Sequence, residues 1–89
     1  MADDLTKQRI AGVLTKAYFG DPGDLVDVSD GDADHVHVVV VSRKFDGHRL
    51  GEKSDLLWSI LTRELPADDW GKVTLSIGVS PADIKASLS

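Results

Sequence analysis

No cysteine occurs in the 89-residue chain. That absence removes disulfides, thiol catalysis, Cys-ligated zinc and any iron–sulfur cluster held by the chain's own thiolates. A metal here must be held by His, Asp or Glu, or by a partner. Long hydrophobic runs are also lacking, and nothing approaches the roughly 20 apolar residues of a spanning helix. The start, Met1-Ala2-Asp3-Asp4, has neither the basic nor the apolar region of a secretory signal. The expected compartment is therefore the cytoplasm, with no membrane association. Positive charge is in the minority, with 10 Lys and Arg against 15 Asp and Glu for a net −5. Such a balance repels phosphate backbones at long range, so indiscriminate nucleic-acid binding is disfavoured unless the basic residues share one face. The chain is also short. One domain, 1–89, is expected, with a thin core and no cavity for a large substrate.

What is present reads as alternating helical and extended segments. Ile10, Val13, Leu14, Ala17 and Tyr18 follow the spacing of an amphipathic helix, predicted from about Asp4 to Phe19. Asp3 or Asp4 serves as its cap, and Gly20 and Pro22 as its stop. Leu25 to Ser29 reads as a short strand, and His35 to Ser42, with four consecutive valines, as a clearer one. The short polar residues from Asp30 to Asp34 suit an antiparallel hairpin between them. Leu56, Leu57, Ile60, Leu61 and Leu65 mark a second helix from roughly Glu52 to Leu65, ended by Pro66. Val73, Leu75 and Ile77 alternate with Thr74 and Ser76, which predicts a third strand with the three aliphatics on its buried face. Ser80-Pro81, followed by Asp83, opens a short terminal helix through Leu88. The order is α-β-β-α-β-α, an α+β fold. The helix joining the second and third strands suits a right-handed crossover, hence a mixed three-stranded sheet with helices on one face.

This arrangement resembles the BolA-like proteins. The likeness runs from about Ile10 to Pro81 and rests on Asp27-Val28-Ser29, the strand His35 to Ser42, the Phe45-x-Gly47 turn and the helix to Leu65. It implies a fold similar to the class II KH domain and a small non-enzymatic adaptor or regulator. It also implies a monothiol glutaredoxin as partner, with or without a shared [2Fe–2S] cluster, and a link to transcriptional regulation. The family's cluster ligands, a His or Cys in the first hairpin and a His before the last strand, match positions near Asp32 and on or beside Gly71. Neither position carries imidazole or thiolate, and no His follows His48. The expected cofactor is therefore none: the fold is kept while the soft donors that suit such a cluster are missing.

The candidate sites are few. Arg43, Lys44, His48, Arg49 and Lys53 concentrate positive charge in one short stretch, a candidate contact for an acidic protein partner or, in the competing KH-like reading, for nucleic acid. The bland reading is a solvated loop before a helix. The glycines Gly47 and Gly51 are four apart, so the backbone-clamping Gly-x-x-Gly loop of KH domains is absent. His35 and His37 project from one strand face and are weak metal candidates, with Asp32 or Asp34 nearby. The alternative is that both simply occupy the solvent face. Asp30-x-Asp32-x-Asp34 imitates a calcium loop, but His35 and Val41 stand at its sixth and twelfth positions in place of Gly and Glu. Ser54 has no activating context, so enzyme activity is not expected. Trp58 and Trp70 identify no site by themselves.

Overall fold

The computed structural model describes residues 4–82 and 84. In chain order these form α1 (Asp4–Ala17), β1 (Leu25–Asp30), β2 (Val36–Val41), a 3₁₀ turn (Arg43–Phe45), α2 (Leu50–Glu64), α3 (Ala67–Trp70) and β3 (Val73–Val79). A helical turn then begins at Pro81, where the Ile84 N–H donates to the Ser80 carbonyl. Most of the predicted terminal helix, like the Asp3 cap and Asp83, lies outside the described residues. No helix among the described residues is long and apolar enough to cross a membrane.

The sheet has the order β1-β2-β3. β1 runs antiparallel to β2, with Asp27 opposite Val39, and β3 runs parallel to β2, with Ile77 opposite Val39. The fold is thus α+β around a mixed three-stranded sheet. Val36, Val38 and Val40 are fully buried on the side that faces Ile10 and Leu14 of α1 and Leu57, Ile60 and Leu61 of α2. Their stiff branched side chains fill the space between sheet and helices. α1 stops at Ala17, two residues before the predicted end at Phe19. The Phe19 N–H returns to the Leu14 carbonyl, and this turn swings the Phe19 ring into the core beside Phe45, 5.3 Å between centroids.

Two further features depart from the sequence expectation. The first is α3, which fills the gap after Pro66. Its Asp69 is nearly buried and takes a two-pronged ion pair from Arg9 of α1, at 2.8 and 2.9 Å. That guanidinium holds the Asp69 carboxyl below the usual aspartate range, against the effect of burial. The second is the face of β3. The register shifts between Val36 and His37, so that Val36 meets Val73 but His37 meets Leu75. Thr74 is the extra residue, and one extra residue turns the rest of a strand over. Val73 is buried as expected, whereas Leu75 is 40% exposed and Ile77 joins it on the face of His37 and Val39. Ser76 and Gly78 fall on the helix side instead.

At Gly78 the strand passes close under α2. A Cβ built there would lie 2.7 Å from the Phe45 ring and 3.0 Å from Lys53 Cβ. Only glycine lets β3 and α2 come this close without something shifting.

Candidate functional site

The predicted basic residues all lie at the corner where β2 turns into α2. Ser42 ends the strand, fully buried. Its hydroxyl donates to Asp24 Oδ1 at 2.7 Å and accepts the Lys44 N–H at 3.1 Å, capping the 3₁₀ turn. Phe45 then plugs the core, and Gly47 takes a left-handed conformation (φ 79°) that reverses the chain at no steric cost. α2 starts after Arg49, whose N–H is accepted by the Glu52 carboxylate at 2.8 Å. This satisfies one of the amides the helix start leaves open.

The five predicted cations divide into two groups. Lys44 is occupied internally: its ammonium sits 2.8 Å from Asp21 and 2.9 Å from Asp24 and lies over the Tyr18 ring. Both carboxylates raise its pKa. Asp24 is buried, which by itself would push its pKa up, but donors from Ser42, Lys44 and the Asp21 N–H, with the lysine charge, hold it below the ordinary value. This cluster fastens the loop after α1 to the end of β2. Lys53 is also withdrawn, 7% exposed where α2 crosses Gly78. Arg43, His48 and Arg49 are exposed.

Beside them stands Leu50, which the sequence pattern does not single out. It is the first residue of α2 and lies three and seven residues before Lys53 and Leu57, so its spacing assigns it to the buried stripe. It is nonetheless 68% exposed. Leu50 directly follows His48 and Arg49 in the chain, and all three are exposed.

The other candidates do not assemble a centre. His35 Nδ1 lies 3.0 Å from the Asp32 carbonyl oxygen, and the His37 ring lies against Gly31. Among the described residues no three His, Asp or Glu gather into a group able to hold a metal. The positions that the resemblance matches to BolA-like cluster ligands do not fit a cluster either. Asp32 offers a hard carboxylate. Gly71 closes α3 so tightly that a Cβ would come 2.7 Å from the Ala67 carbonyl oxygen, leaving no room there for a histidine without movement. Elsewhere, a groove of about 830 Å³ between α1 and the end of α2 has Gly12, Val13 and Leu65 along it, with Lys16 on one side and Glu64 and Asp68 on the other. These mixed walls select no ligand class. Comparisons with family models, curated proteins and solved structures return no match for this chain.

Proposed function

We propose that the protein is a non-enzymatic BolA-like adaptor that binds a protein partner, a monothiol glutaredoxin being the partner class, through Arg43, His48, Arg49 and Leu50. The observation that carries this reading is the exposed Leu50 directly after the exposed His48 and Arg49. A desolvated leucine contributes about 1.5–3 kcal/mol, whereas each exposed ion pair contributes only ~0.2–1 kcal/mol and mainly orients the encounter. A second observation supports the resemblance. The Val36 N–H donates to the Lys72 carbonyl, so the first hairpin and the turn before β3 stand side by side, as they do where this family holds its cluster. With Asp32 and Gly71 there, recognition proceeds by shape and charge, and any cluster is ligated by the partner alone.

The test is calorimetric titration with a monothiol glutaredoxin, with and without reconstituted cluster. Binding in at least one state is expected, weakened about tenfold by Leu50→Asp. Absence of binding in both states removes the assignment. The KH-like alternative is read by oligonucleotide binding across a salt series, because phosphate contacts make affinity fall steeply with salt. With Lys44 neutralised by Asp21 and Asp24 and Lys53 buried, no sequence-independent binding is expected at physiological salt.

A further inference from the structure

The strand pairings define the sheet face turned away from the helices. Leu25, Val41 and Val79 lie in one row across it, Asp27, Val39 and Ile77 in the next, and Ser29, His37 and Leu75 in the third. Six of these nine side chains are aliphatic. None of the nine is buried, and Leu25 and Leu75 are 58% and 40% exposed. The reason is the register shift in β3: were Thr74 paired in regular alternation opposite His37, Leu75 and Ile77 would point to the core and this face would carry Thr74, Ser76 and Gly78. An aliphatic area of this kind on a small monomer marks an interaction surface.

Charge narrows the occupant. Asp27 sits within the face, and Asp30, Asp32 and Asp34 crowd the hairpin at one end of it. No ion pair between described residues engages Asp27, Asp32 or Asp34. Size narrows it further. Six-residue strands about 3.3 Å per residue long and about 4.8 Å apart give a footprint of roughly 20 by 15 Å. That matches a helix of about 14 residues, roughly 21 Å long and 10 Å wide. It is well short of the about 800 Å² per partner that a standard stable protein pair buries, and a second copy would bring another −5 onto an acidic rim. We propose that the uncovered sheet face binds a basic amphipathic helix of a partner protein, its apolar stripe on Val39, Ile77 and Val79 and its cations toward Asp27 and the hairpin carboxylates. This surface is distinct from the Leu50 corner and does not depend on which partner binds there.

The test is a titration of the full chain, methyl- and amide-labelled, with a 14-residue peptide carrying leucines at helical spacing and lysines elsewhere. A twin peptide with glutamates in place of the lysines serves as control. Shifts are expected in the Val39, Val41, Leu75, Ile77 and Val79 methyls. The acidic twin should bind at least tenfold more weakly, and Leu75→Asp or Asp27→Lys should weaken the basic peptide several-fold. Both positions are exposed, and circular dichroism melting within a few degrees of wild type keeps the comparison valid. Equal binding of both peptides, shifts centred elsewhere, or no binding overturns the proposal. So does self-association through these methyls on sedimentation, which would make a second copy the occupant. A requirement to delete residues 85–89 before the methyls respond would make the chain's own end the occupant, and also overturns it.

Discussion

Replacing Gly78 by alanine drives a methyl group into the seam between β3 and α2. The new carbon would stand 2.7 and 2.9 Å from two atoms of the Phe45 ring and 3.0 Å from Lys53 Cβ, where carbon pairs normally rest at about 3.5–4.0 Å. Phe45 has little room to retreat, since it is 1% exposed and Phe19 lies behind it. Overpacking of this kind costs about 1–3 kcal/mol, while alanine recovers roughly 0.4–1 kcal/mol by restricting the unfolded chain. The net destabilisation is about 1–2 kcal/mol, which in a domain of this size lowers Tm by roughly 5–15 °C. Urea unfolding followed by the fluorescence of Trp58 and Trp70 measures it directly. Gly12→Ala is the matched control: it lies in α1 with nothing within 4 Å of the added carbon and should stabilise by up to about 1 kcal/mol. A double mutant adding Phe45→Leu should recover part of the Gly78→Ala loss, a coupling of at least ~0.5 kcal/mol. If Gly78→Ala is neutral or behaves like Gly12→Ala, α2 does not pack on β3 through this seam.

Other outcomes rest on the same geometry. Ser76→Ala should stabilise by about 1 kcal/mol in urea unfolding, because the Ser76 hydroxyl is buried with no hydrogen-bond partner among the described residues. Ser42→Ala should cost about 1–2 kcal/mol in the same assay, since it removes the cap on the 3₁₀ turn and leaves Asp24 short of a donor. Ala33→Gly should stabilise by about 0.5–1 kcal/mol, the left-handed backbone at Ala33 (φ 54°) being one that glycine adopts more cheaply. Acid should unfold the protein through Asp24 and Asp69. Their folded pKa values lie below the unfolded ones, so their contribution is complete above the ordinary aspartate value of about 3.9 and is lost as pH falls through the lower folded values. Asp69→Asn should flatten part of that acid limb in a pH series of melts. Lys7, paired with Asp30 and Asp4, and Lys44, paired with Asp21 and Asp24, have raised pKa values. Their contribution holds below the ordinary lysine value and is lost as pH rises through the folded ones.

The legible parts of the fold were those written in local periodicity. Val36, Val38 and Val40 announced the buried side of β2, and Ile10 with Leu14, and Leu57 with Ile60 and Leu61, the inner faces of two helices. What escaped depends on partners distant in the chain. The displacement that turns Leu75 and Ile77 outward exists only in the pairing of β3 with β2, and a strict alternation of apolar residues argued for the opposite face. α3 is four residues long and is tied by Arg9, sixty positions away from Asp69. At the candidate site Arg43, His48 and Arg49 are exposed, whereas Lys44 and Lys53 are engaged within the fold in ways their sequence neighbourhood does not reveal. Lys44 is claimed by aspartates 23 and 20 positions earlier, and Lys53 is covered because Gly78 lets α2 approach the sheet. Leu50 lies before the predicted helix start at Glu52, so the sequence reading gave it no face, whereas α2 begins there and leaves it exposed.

An adaptor of the proposed kind, recognising its partner by an exposed corner and supplying no cluster ligand, should leave two signatures in one titration. Amide-shift mapping of the labelled protein, as a cluster-loaded monothiol glutaredoxin is added and visible absorbance is recorded in parallel, reads both. Shifts should concentrate from Arg43 to Leu50, and the absorbance spectrum should be unchanged when His35 and His37 are both replaced by alanine. Shifts absent from that corner, or a cluster spectrum that disappears with the two histidines, would contradict this recognition mode.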